Sequence, residues 1–173
     1  YEFLAATLLV FIFGAGHVGS ALARHLSSLG YEPTVVDSRK DILDTVEGAL
    51  KLPVDSYAVV SEKISVLEGS FIVIATHSHE YDYQVLKSVY TAGWHPRYIG
   101  AVASKKKAKE IMDRLYRDVG KDVDTRNLFM PVGLDIGGRS VDEIAVSIVS
   151  EMQAVRYGKE VPHLRIEMPV PGS

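Results

Sequence analysis

The sequence predicts an α/β protein, a doubly wound and mostly parallel sheet covered by helices on both faces in three α/β/α layers. Short apolar runs alternate with segments of helical spacing along the chain, the pattern of parallel strands joined by crossover helices. A glycine-rich turn follows the first apolar run and opens the first helix. The 173 residues are 47% hydrophobic and 24% charged, which suffices for a domain with its own core and is unlike a disordered chain.

The elements follow in order. Residues 8–13, LLVFIF, form the first strand, and residues 18–29 a helix with Val18, Leu22, Leu26 and Leu29 on one face. Gly30 stops that helix. Residues 34–37, TVVD, make a short second strand, and residues 49–52, ALKL, a third. Val60, Ile64 and Leu67 then stand at helical spacing behind an Asp55/Ser56 cap. FIVIAT, residues 71–76, is a buried strand, followed by a helix over 81–90 and a strand over 98–103. A basic helix runs over 105–118, and residues 128–134 pass from strand to loop. The last helix opens with a Ser140–Glu143 capping box and carries Ile144, Ala145, Ile148, Val149 and Met152 on its apolar face. One domain over 1–159 and an extended C-terminal tail over 160–173, with three prolines, complete the expected organisation.

Composition narrows the function. A net charge of −3 gives no general attraction to nucleic acid or an anionic membrane, so neither is an expected partner. The absence of cysteine excludes disulfides, thiolate catalysis and thiolate metal sites within this sequence, and fits a cytoplasmic protein. The first apolar run is too short to span a bilayer, and no charged segment precedes it as in a signal peptide. A start at Tyr1 and an end at Pro171-Gly172-Ser173 suggest a piece of a longer protein.

Gly14-Ala15-Gly16-His17-Val18-Gly19 matches G-x-G-x-x-G between a strand and a helix, and Asp37 closes the second strand. The first glycine permits the turn, the second lets a pyrophosphate approach the backbone, and the third lets helix pack on strand. Free amides and the positive dipole end of the helix favour an anion there. Asp37 would accept from ribose hydroxyls and favour NAD over NADP, a preference that the nearby Arg39 weakens. The motif speaks for binding, not for hydride transfer.

Ligands of open α/β sheets sit outside the carboxyl ends of the strands, so each such loop is a candidate wall. After FIVIA come Thr76, His77, Ser78, His79 and Asp82, where His77, His79 and Asp82 are candidates for proton transfer or ligand contact. Two histidines in one extended segment seldom make a full metal site, and no metal is expected. Ser78 or a neighbour also serves as a helix cap. Ser104 and Lys105 begin a basic run at a helix N-terminus, where an anion would relieve the unfavourable dipole. In the glycine-rich loop 131–139, Asp135 either pairs with Arg139 or faces the pocket. His25, His95 and His163 read as ordinary surface or packing residues.

The segments FGAGHVGSALARHLSSLGYEPTVVDSR, ATHSHEYDYQVL, YIGAVASKKKAKEI and PVGLDIGGRSVDEIAVSIVSEMQAVRYGK occur in that order. Together they resemble the C-terminal Rossmann-like domain of the xanthine dehydrogenase accessory (XdhC/CoxI) family over about residues 8–159. The T-H-x-H-x-x-D and P-V-G-L-D-I-G elements are its more specific parts. The resemblance implies a maturation chaperone for molybdenum hydroxylases. Such a protein binds the molybdenum cofactor (molybdopterin), assists its sulfuration with a cysteine desulfurase, and delivers it to the apoenzyme. The pattern carries over to Gly14, Gly16, Gly19, Asp37, Thr76, His77, His79, Asp82, Ser104 and Asp135. The family's usual N-terminal domain is not in this sequence, so a separate domain of that type joins the expected partners, beside a homodimer. Two rivals remain: an NAD(P)-dependent oxidoreductase using His77 or His79, and a regulatory dinucleotide-sensing domain.

Overall fold

The computed structural model describes residues 8–164; the expected tail beyond 164 lies outside the described residues, as do residues 1–7. Six strands form one sheet in the order β3-β2-β1-β4-β5-β6. They are β1 (Leu8–Phe13), β2 (Tyr31–Asp37), β3 (Leu50–Pro53), β4 (Phe71–Ile74), β5 (Tyr98–Ala101) and β6 (Leu128–Phe129). All five strand pairings are parallel, with Val10 opposite Pro33 and Phe71. The chain builds outward from β1 through β2 to β3, then crosses to β4. That reversal leaves a crevice above β1, between its neighbours.

Alternation along each strand divides the core in two, as expected where both faces of a parallel sheet are covered. On one face Val10, Ile12, Val35, Val73 and Tyr98 pack against α1 (His17–Ser28) and α6 (Val141–Tyr157) through Leu22, Leu26, Ile148 and Met152. On the other, Phe13, Val36, Ile72, Ile74 and Ile99 meet α4 (His79–Thr91) and α5 (Lys105–Asp118) through Val85, Leu86, Ile111 and Leu115. Burying each of these large side chains stabilises the fold by about 1.5–3 kcal/mol before chain entropy is counted. No helix among the described residues is long and apolar enough to cross a membrane.

Several expected boundaries shift, each for a local reason. The second strand is longer than residues 34–37, because Pro33 is tolerated inside it: β3 pairs only from Thr34 onward, so the residue without an N–H has no strand on that flank. The third strand begins at Leu50 rather than Ala49. Ser56 does cap, but it caps a 3-10 turn over Tyr57–Val59, and α3 (Val60–Lys63), the next helix after the short α2 (Lys40–Asp44), ends after four residues. Ile64 is extended, Ile64 and Val66 are buried, and Leu67 points to solvent. Alternating burial of β-branched residues wins there over helical spacing. The fourth helix starts at His79, two residues before the expected Tyr81, because Ser78 supplies its cap. The α6 capping box is present as expected.

Candidate functional site

The β1–α1 turn, the end of β2, the β4–α4 loop and the end of β5 enclose a cleft of about 470 Å³ over the crevice above β1. That volume is within the range of small-molecule and cofactor sites. Gly16, His17 and Val18 form one wall, Thr76, His77, His79 and Asp82 another, and Arg39 and Val102 complete the lining from β2 and β5. A larger groove of about 880 Å³ runs between α1 and α6, lined by Leu29, Val149, Tyr157 and the start of the tail. It is mostly apolar and lies along the helix pair, away from the strand ends where polar groups converge.

The three glycines of the turn have different reasons. Gly14 has φ +120°, and a Cβ there would run into the carbonyl of Ala75. A Cβ on Gly19 would strike the carbonyl of Gly14. Both are required by packing within the protein. Gly16 has an ordinary φ of −67°, and a Cβ built on it meets nothing within 4 Å. No protein neighbour demands glycine at that position, and the space beside it is the cleft.

Gly16 is also the N-cap of α1, with no side-chain cap and no acidic residue in the first turn. The amides of His17, Val18 and Gly19 precede the first helix bond, from Ser20 N–H to the Gly16 carbonyl. Ser78, Ser104 and Ser140 cap α4, α5 and α6, so α1 alone among the described helices of eight residues or more has no side-chain cap on its first turn.

Asp37 is fully buried under this turn. Its Oδ2 accepts from Ala15 N–H at 2.7 Å and from Arg39 Nη2 at 2.8 Å. Its Oδ1 accepts from Arg39 N–H at 2.8 Å and Arg39 Nε at 3.0 Å. Burial by itself raises the pKa of such a group, but the bonds from Arg39 and Ala15 outweigh it and hold the carboxyl below its ordinary value.

The β4–α4 loop is closed by a second acid. Asp82 Oδ1 accepts from the Thr76 amide at 2.9 Å and stands 2.7 Å from Thr76 Oγ1, which also lies 2.8 Å from the Ser78 carbonyl. The single hydroxyl hydrogen serves one acceptor at a time. Asp82 is 6% exposed, and burial raises its pKa against the opposing pull of Thr76 and His79. His79 Nδ1 lies 3.7 Å from Asp82 Oδ2, too far for a hydrogen bond but close enough for attraction when the ring is protonated. His77 is exposed at the rim, with its ring edge-on to Tyr81 at 5.0 Å.

Not every sequence candidate joins the cleft. Ser104 and Lys105 are exposed at the start of α5, where the Ser104 hydroxyl accepts from Lys107 N–H at 3.2 Å; Val102 lines the cleft in their place. Asp135 is exposed and lines none of the clefts described, and among the described residues no ion pair joins it to Arg139, whose backbone N–H donates to Glu143 at 2.9 Å. The loop is held on α6, where Gly133 N–H donates to Glu151 Oε1 at 3.1 Å and Ser147 Oγ donates to the Leu134 carbonyl at 2.6 Å. Glu151, which also accepts from the Tyr98 hydroxyl at 2.7 Å, escapes a reading of the sequence. Its signal is an acid three residues after Ile148 on the apolar face of the last helix. Val102 carries no chemical signal beyond its place just after a strand.

The family model described as the XdhC Rossmann domain matches residues 10–152. A probable xanthine dehydrogenase component from Bacillus subtilis is 27% identical over 150 residues, 84% of this chain and 42% of that protein. An uncharacterized Escherichia coli protein, YqeB, is 25% identical over 148 residues, 84% of this chain and 27% of its own length. Among solved structures, a xanthine dehydrogenase from Bacillus halodurans superposes with a TM-score of 0.74 at 27% identity, covering 89% of this chain and 44% of that one. The chain thus spans less than half the length of each of these relatives.

Proposed function

The chain belongs to the XdhC Rossmann-domain family, and on that premise we propose that it is the nucleotide-binding part of an accessory factor serving a xanthine dehydrogenase-type molybdenum hydroxylase. The observation that carries the reading is Gly16, a glycine that no protein neighbour requires, at the uncapped N-terminus of α1 and facing a cleft of about 470 Å³. A phosphate set against Gly16 would take the amides of His17, Val18 and Gly19 and the dipole of a 12-residue helix. Molybdopterin carries a phosphate, and NAD(P) a pyrophosphate, so both fit this donor set at their phosphate ends. Among the described residues no three His, Asp or Glu side chains are grouped to hold a metal ion. What the donor set at Gly16 would fit is the phosphate-bearing end of either ligand. The molybdenum cofactor, when bound, would supply the redox centre destined for the client enzyme; the amides of His17, Val18 and Gly19 would hold its phosphate, in a cleft that His77 and Val102 also line.

Hand-over to the apoenzyme, with a cysteine desulfurase and a separate N-terminal-type domain as further partners and a homodimer as the assembly, completes the proposal. His77 and His79 at the far wall keep a second reading, proton transfer in an NAD(P)-dependent oxidoreductase. Calorimetry with molybdopterin, NAD and NADP tests the first reading. At least one is expected to bind the wild-type chain, and Gly16→Val to lose it while unfolding stability changes by less than about 1 kcal/mol. Absence of binding by all three, or binding unaffected by Gly16→Val, overturns it. Reduced-nicotinamide absorbance in the same samples with candidate alcohols or amines would favour the second.

A further inference from the structure

The end of β2 does not offer the free carboxylate that reads a ribose diol. Each Asp37 oxygen already accepts two hydrogen bonds, from Ala15 N–H and Arg39 Nη2 on Oδ2 and from Arg39 N–H and Nε on Oδ1. A carboxylate has about four lone-pair sites, and all are taken. With no exposed surface, Asp37 meets neither a 2′- nor a 3′-hydroxyl. What the cleft does meet at this end is Arg39. Its side chain is 33% exposed, it forms part of the cleft wall, and among the described residues its Nη1 has no acceptor.

Resting on the nucleotide-binding reading above, we infer that this site selects a 2′-phosphorylated adenosine ribose, NADP rather than NAD, with Arg39 as the specificity-determining residue and Asp37 as the residue that positions it. The bidentate hold of Asp37 on Nε and Nη2 fixes the plane of the guanidinium and leaves Nη1, on a residue that lines the cleft, without an acceptor among the described residues. The same carboxylate ties Ala15 N–H at 2.7 Å, so the reader of the ribose end and the glycine turn at the phosphate end are held at a set spacing by one buried group. An unphosphorylated ribose gives Arg39 only neutral hydroxyl acceptors; a 2′-phosphate gives it a charge-assisted bond.

Titrating the wild-type chain with NADP and NAD, and with 2′-AMP and 5′-AMP as fragments, is expected to show the 2′-phosphorylated partner of each pair binding at least about tenfold tighter. Arg39→Met is expected to bring the NADP to NAD ratio close to one, and Arg39→Lys, which keeps a cation beside Asp37 and protects the fold, to reduce it. NAD binding as tightly as NADP overturns this inference and leaves nucleotide binding standing. An unchanged ratio in folded Arg39→Met overturns the role of Arg39. Failure of all four nucleotides to bind overturns the inference together with its dinucleotide basis, and molybdopterin calorimetry on the same chain then separates that outcome from loss of the accessory reading itself.

Discussion

Asp37, at the end of β2, and Asp82, in the first turn of α4, are both buried beside the same cleft, yet they are held in opposite ways. Asp37 is met by a guanidinium and two backbone amides, and its carboxyl is drawn below its ordinary pKa although burial pushes the other way. Asp82 is met by one amide and one neutral hydroxyl, with a histidine 3.7 Å away, and there burial prevails and the pKa rises. Burial is similar; the partners differ. An acid therefore does not announce its role by sitting at a strand end. Asp37 remains charged and spends that charge inside the protein, whereas Asp82 is a latch whose charge is poorly supported.

The comparison breaks most sharply under truncation. Asp37→Ala leaves the Ala15 amide without its acceptor and Arg39 without its counter-charge, and is expected to cost about 3 kcal/mol in urea unfolding, moderated by the partial exposure of Arg39. Asp82→Ala is expected to cost less, about 1–2 kcal/mol, since the Thr76 hydroxyl can turn wholly to the Ser78 carbonyl. Equal costs for the two would show that their partners do not set the difference.

Titration sharpens it further, because the signs oppose. A depressed folded pKa means that the Asp37 contribution is complete above its unfolded pKa of about 4 and is lost as pH falls through the lower folded value. A raised folded pKa means that stability associated with Asp82 is greatest below about pH 4 and falls as pH rises through the folded value. Unfolding free energies from about pH 3 to 7 are thus expected to show wild type losing ground to Asp82→Asn as pH rises, while its lead over Asp37→Asn shrinks only at the acid end. The smallest effect belongs to His79→Ala. With a side chain 60% exposed and a long contact to Asp82, it is expected to change stability by less than about 0.5 kcal/mol. A larger loss would mean that His79 is a working partner of Asp82.

Much of the fold is legible in residue order. The apolar runs locate every strand except the full reach of β2, hidden by Pro33, and Ser140 with Glu143 announces α6. The failures share a cause. Ile64 and Leu67 fit a helix by spacing, but the burial of Val66 in the core beneath α4 fixes an extended path. Asp135 reads either as a partner of Arg139 or as a wall of the cleft, yet its loop is held by Ser147 and Glu151 from α6, a segment later in the chain.

The sequence by itself determined the alternation of strands and helices, because it is written within single segments at periods of two or 3.6 residues; the caps and the glycine turn are short local motifs, and the family rests on the resemblance of several such motifs in order. Only the tertiary structure decided what the polar groups face. It turned Asp37 inward onto Ala15 and Arg39, tied Asp82 to Thr76, and left Gly16 open. A buried carboxylate takes the strongest donors within reach, and which donors are within reach is set by distant loops meeting at one sheet edge, not by the neighbours in the chain.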